Sequence, residues 1–87
     1  MRARALVAFP GGFGTLDELF ETLTLIQTKK VDPVPVLLFG KAYWQRIIDF
    51  EAMVDEGTID QEELDLFQFV ETAEEAWEII KTSYLKA

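Results

Sequence analysis

A short apolar run, Ala5-Leu6-Val7-Ala8-Phe9, breaks into Pro10-Gly11-Gly12-Phe13-Gly14 and restarts as an amphipathic pattern at Thr15. A strand, a glycine-rich turn and a helix in that order leave few folds open. Three glycines in four positions are expected to give the backbone access to positive φ and to let a ligand approach closely. The turn aims backbone N–H groups at one point, and the positive end of the helix adds to them. Together they form an anion site, most often for phosphate.

The rest of the chain repeats the alternation. Ala5 to Phe9 has no polar residue, the pattern of a strand buried on both faces in the middle of a sheet. From Thr15 to Lys30, Leu16, Leu19, Phe20, Leu23, Leu25 and Ile26 recur at helical spacing, with Asp17, Glu18, Glu21 and Thr22 on the other side. Acids in the first turn and Lys29-Lys30 in the last suit the helix dipole, and Asp32-Pro33 stops the helix. Val34 to Phe39 reads as a second buried strand, with Gly40 at its end.

Lys41 to Glu56 is predicted as one helix with Tyr43, Trp44, Ile47, Ile48, Phe50 and Val54 inward, closed by Gly57. Thr58-Ile59-Asp60-Gln61 has the form of a capping box for a helix of one or two turns. Leu66 to Val70 is the third strand. Thr72 to Glu75 is another capping box, opening a last helix with Ala73, Ala76, Trp77, Ile80 and Tyr84 inward.

Strands separated by helices imply parallel pairing with right-handed crossovers, the α/β class. Three such strands with flanking helices make half of a Rossmann-like, three-layer parallel sheet. Residues 1–87 therefore read as a single partial domain, the C-terminal half of a larger one. Its open side calls for either a further segment or a second copy.

Composition restricts the chemistry. The 87 residues include neither cysteine nor histidine, which removes thiol nucleophiles, disulfides, imidazole bases and Cys/His zinc sites. A net charge of −8, with cations scattered from Arg2 and Arg4 to Lys86, argues against a nucleic-acid partner. No apolar run approaches the roughly 18 residues of a membrane span, so no membrane partner is expected. The lack of cysteine suits a cytoplasmic setting. Carboxylates, Arg, Lys, hydroxyls and backbone dipoles remain.

Spacing separates the phosphate loops. A P-loop ends in Gly-Lys-Ser/Thr, whereas Gly14 is followed by Thr15-Leu16. The dinucleotide fingerprint wants Gly or Ala where Asp17 stands. What remains is Pro10-Gly11-Gly12-x-Gly14-Thr15-x-x-Glu18. This string resembles the signature of the Lonely Guy (LOG) family of nucleoside 5′-monophosphate phosphoribohydrolases, often mislabelled lysine decarboxylases. The Val34 to Phe39 strand, Tyr43-Trp44 and Met53 to Gly57 also look like that family's C-terminal half, so the resemblance covers nearly the whole chain.

The resemblance implies hydrolysis of the N-glycosidic bond of AMP or a cytokinin nucleotide, giving free base and ribose 5-phosphate. It implies phosphate binding by Gly11, Gly12, Gly14 and Thr15, a catalytic role for Glu18, no cofactor or metal, and pairing into homodimers. The family's upstream arginine sits in an Arg-Lys pair. Arg2 and Arg4 do not match that pair, and the role is not carried onto them. A carboxylate beside an oxocarbenium-like sugar needs neither histidine nor metal.

Two other readings stand beside this one. Glu18 also completes a capping box with Thr15, which is a purely structural role. The same fold and a similar Pro-Gly-Gly loop occur in modules that carry or sense a nucleotide or a molybdopterin cofactor without hydrolysis. A half-domain with no ligand is the third possibility. Lysine decarboxylation lacks support, since no lysine in or beside the loop is placed for a pyridoxal Schiff base.

Overall fold

The computed structural model describes residues 5–86; Arg2 and Arg4 lie outside them, as does the side chain of Tyr84. The elements run β1 (Leu6–Ala8), α1 (Phe13–Gln27), β2 (Val36–Phe39), α2 (Lys41–Ile47), α3 (Phe50–Asp55), a 3₁₀ helix (Gln61–Leu66), β3 (Gln68–Val70) and α4 (Ala73–Lys86). All strand pairing is parallel in the order β1-β2-β3, with Val7 opposite Leu37 and Leu38 opposite Phe69. The fold is α/β and Rossmann-like, as the alternation of elements implies.

The two faces of the sheet part the core. Leu6, Ala8, Val36, Leu38 and Phe69 face α1, α2 and α3, while Val7, Leu37, Phe39 and Val70 face Ala76, Ile79 and Ile80 of α4. Helices on both sides give three layers, and each fully buried leucine or valine contributes about 1.5–3 kcal/mol. β2 is the central strand, with Val36, Leu37 and Leu38 buried. Among the described residues β1 pairs with β2 alone, and Leu6 and Val7 are half-buried, so one side of β1 is left without a described neighbour. An unbroken apolar run marks burial by something, but does not say from which element that cover comes.

α1 starts earlier than the acidic pattern suggests. Gly12 is its N-cap, and the Gly12 carbonyl already accepts from Leu16 N at 3.1 Å. The Thr15–Glu18 capping box therefore does not form, because both residues are inside the helix, and no acid occupies the first turn. Thr22, expected on the outer side, is buried. At the other end Lys29 adopts φ 60°, with Lys29 N donating to Ile26 O at 3.0 Å and Lys30 N to Leu25 O at 2.9 Å. This paired closure ends the helix ahead of Pro33 and leaves both lysines outside it. A left-handed lysine is strained where glycine would not be. Lys29→Gly is expected to stabilise the protein by about 0.5–1 kcal/mol, read as a melting temperature raised by a few degrees; an unchanged or lowered value would refute the strain.

The segment from Lys41 to Glu56 is two helices rather than one. Ile48 is extended, and Asp49 Oδ1 accepts from Ala52 N at 3.0 Å, capping a new helix. A short side chain that bonds its own downstream amide competes with continued helix. The break sends both Trp44 and Phe50 into the core, Phe50 against Phe67 with centroids 4.4 Å apart. Ile47, read as inward, is 43% exposed.

Gly57, at φ 80°, closes α3 as expected. The next capping box joins Asp60 to Glu63, with Asp60 N donating to Glu63 Oε1 at 2.7 Å, instead of Thr58 to Gln61. The Thr72–Glu75 box forms as read, Glu75 N donating to Thr72 Oγ1 at 3.1 Å and Thr72 N to Glu75 Oε1 at 3.0 Å. On α4, Ala76 is buried and Ile80 half-buried, but Ala73 is exposed and Trp77 is 59% exposed. The helix meets the sheet through positions 76, 79 and 80, which rotates Trp77 off the contact.

Candidate functional site

The site begins where β1 ends. Phe9 stacks on Phe39 with centroids 5.0 Å apart, Pro10 turns the chain, and α1 starts at Phe13. Positive φ is not what the loop glycines provide: among the described residues only Gly40 and Gly57 are glycines with positive φ. Their reasons lie in space. A Cβ on Gly11 would overlap Thr15 Oγ1, so Gly11 makes room for that hydroxyl. A Cβ on Gly12 or Gly14 would meet nothing within 4 Å, so packing within the chain demands neither glycine.

The helix start is left open. The first amides of an α-helix have no partner inside it and need one from outside. Elsewhere in the chain a side chain supplies it. Glu71 Oε2 accepts from Lys41 N at the start of α2 (2.9 Å), Asp49 caps α3, Asp60 caps the 3₁₀ helix, and Thr72 caps α4. α1 has no side-chain cap, and among the described residues no side chain accepts from its first-turn amides. Its macrodipole therefore ends in amides that no described side chain receives.

Gly14, Thr15 and Glu18 lie on the wall of one open groove of about 450 Å³, together with Leu6 to Pro10 and Leu19. Gly11 and Gly12 lie in the loop ahead of that wall. Thr15 is half-buried and Glu18 exposed. Three residues apart on a helix, Thr15 and Glu18 have Cβ atoms about 5–6 Å apart on neighbouring turns. Sequence reasoning brought these residues together by neighbourhood, since they belong to one local stretch. It did not find what holds the loop from behind. The Tyr43 hydroxyl donates to Gly11 O at 2.6 Å, across 32 positions of sequence. In the sequence Tyr43 stands out only as an inward tyrosine of a helix, the ordinary pattern of a core residue, and as part of the Tyr43-Trp44 resemblance, neither of which points to this bond.

Comparison with known proteins agrees with the family resemblance. The family model described as "Possible lysine decarboxylase" matches residues 1–80. Cytokinin riboside 5′-monophosphate phosphoribohydrolase LOG3 of Arabidopsis thaliana is 35% identical over 72 residues, 82% of this chain and 34% of the relative. LOG1 of the same plant, bearing the same description, is 39% identical over 56 residues, 63% of this chain and 26% of the relative. LOG4, again so described, is 35% identical over 72 residues, with 82% and 34% covered. The chain thus spans about a third of the length of LOG3 and LOG4. With the family match running from residue 1 to residue 80, the chain belongs to the "Possible lysine decarboxylase" family, the family of these LOG proteins.

Proposed function

We propose that the loop from Gly11 to Thr15 receives the 5′-phosphate of a nucleoside monophosphate such as AMP or a cytokinin nucleotide. Glu18 then acts at the sugar to hydrolyse the N-glycosidic bond. The observation that carries this reading is the uncapped start of α1 beside two glycines that no internal packing requires. The phosphoribohydrolase activity for which the LOG relatives are named supports the same chemistry.

With phosphate on the first-turn amides and Thr15, the sugar extends along the groove toward Glu18. The C1′–N bond breaks as the base departs with the electron pair and gains a proton, and the oxygen of water bonds to C1′. The Glu18 carboxylate steadies the positive charge on the sugar and accepts the proton that water gives up. Anchoring the phosphate holds the anomeric carbon against the carboxylate. No lysine lines the groove among the described residues, which leaves decarboxylation through a lysine Schiff base without support. Pairing of two copies belongs to the same reading, with Phe13 (91% exposed) and Phe20 on α1 available for contact.

The test combines an assay for free adenine from AMP with calorimetric titration of AMP, on the wild type and on Gly14→Ala. Wild type is expected to bind AMP and release adenine. Alanine within the helix should hold or raise stability by up to about 1 kcal/mol, while its methyl crowds the phosphate and weakens AMP about tenfold or more. Binding without release would select the carrier or sensor reading. No binding by the wild type, or equal binding by Gly14→Ala, would remove the phosphate loop itself. Sedimentation of the same samples reports pairing.

A further inference from the structure

α2 is set against the glycine loop at two points. A Cβ on Gly40 would lie 3.7 Å from Pro10 Cγ, so the start of α2 abuts the beginning of the loop. One turn on, the half-buried Tyr43 gives its hydroxyl proton to the carbonyl oxygen of Gly11. The tyrosine ring is braced edge-on by Trp44, with centroids 5.3 Å apart at 90°. Trp44 is itself fully buried, and its Nε1 donates to Phe39 O at 3.0 Å. The core therefore presents the Tyr43 hydroxyl at a fixed place.

We infer that Tyr43 is a positioning residue for the anion loop. By holding the Gly11 carbonyl toward α2, it fixes the Gly11–Gly12 peptide with its N–H directed to the face of the loop that α2 does not cover. This rests on the phosphate-loop reading above. In a trans peptide the C=O and N–H point in opposite senses, and the described residues contain no cis bond. A Gly-Gly peptide is the unit of a chain most free to turn over, because neither residue has a Cβ to resist it. Turned over, this one would offer a carbonyl oxygen to an arriving phosphate in place of a donor. Thr15 Oγ1 occupies the space beside the Gly11 Cα, and Tyr43 secures the carbonyl. The loop is thus set before any ligand arrives.

The experiment uses Tyr43→Phe, which keeps the ring and removes the hydroxyl. Thr28→Val is the control, deleting a hydroxyl-to-carbonyl bond to Thr24 O (2.8 Å) at the far end of α1. Amide spectra of the ligand-free proteins come first. Tyr43→Phe is expected to shift the Gly12, Gly14 and Thr15 signals and speed their hydrogen exchange, with α4 unmoved and melting within a few degrees of wild type. Thr28→Val should leave the loop signals in place. Titration with inorganic phosphate should then give about tenfold weaker binding to Tyr43→Phe, the scale of one net hydrogen bond, and wild-type affinity for Thr28→Val. Loop signals that coincide with wild type overturn the inference, as does undiminished phosphate affinity in Tyr43→Phe. Should wild type bind no phosphate, the phosphate-loop reading falls, and the ligand-free spectra still decide whether Tyr43 sets the loop.

Discussion

Glu18→Gln is expected to lower adenine release from AMP by about 10²–10⁴-fold, the usual contribution of a positioned carboxylate to proton transfer. AMP binding should stay equal or tighten, because the change removes a negative charge from the groove that receives a phosphate. Loss of turnover with binding retained marks an interaction made in the transition state. Stability supplies the second arm. Were Glu18 the capping partner of Thr15, its loss would cost about 0.5–2 kcal/mol. The helix begins at Phe13 with Gly12 as its cap, and Glu18 is exposed one turn beyond, so melting should not move. Adenine release that survives the substitution would end the catalytic assignment. Release lost together with several degrees of stability would return Glu18 to a structural role.

The competition between cap and carboxylate shows what local sequence can resolve. Thr15-Leu16-Asp17-Glu18 fits a capping box, and the same pattern at Thr72 to Glu75 forms one. The difference lies upstream. Before Thr72 stands Glu71, whose N–H also bonds Glu75, so that helix starts where the box puts it. Before Thr15 stand Gly14, Phe13 and Gly12, through which the helix extends backward without any side chain to receive its amides. A helix that begins uncapped gains nothing locally from doing so, and no propensity argument would choose it. Under the proposed function that start leaves its amides to a phosphate.

Other departures have the same kind of cause. The run from Lys41 to Glu56 keeps apolar spacing throughout, and only the bond from Ala52 N to Asp49 reveals the break. On α4, positions 73, 76, 77 and 80 and positions 76, 79 and 80 make overlapping stripes. The meeting with β2 and β3 selects the second and exposes Trp77. Element type and order were legible because each strand or helix carries its own period. The glycine loop and Glu18 were legible because they are contiguous. The bond from Tyr43 to Gly11 was not, since no local pattern records which hydroxyl a fold delivers to a carbonyl 32 residues away.

Trp44→Ala is expected to be the most destabilising single change near the site, at about 3–5 kcal/mol for truncating a fully buried tryptophan. Natural domains hold roughly 5–15 kcal/mol in all, in proportion to length, so an 87-residue chain would retain little. Two losses combine. A cavity opens between α2 and β2, and Phe39 O loses the Nε1 donor at the end of the central strand. The same ring braces Tyr43, so the damage passes through Tyr43 to the Gly11 carbonyl. Urea unfolding should show a lowered midpoint at an unchanged slope. At low temperature, where the remaining folded protein can be titrated, AMP should bind more weakly than to wild type. Ile47→Ala, at a position 43% exposed on the same helix, should change both values little. A Trp44→Ala variant that loses less than about 1 kcal/mol, against the 3–5 expected, would mean that Trp44 does not anchor α2. Loss of stability with AMP affinity intact would mean that core and loop are independent, and that the loop keeps its shape without support from behind.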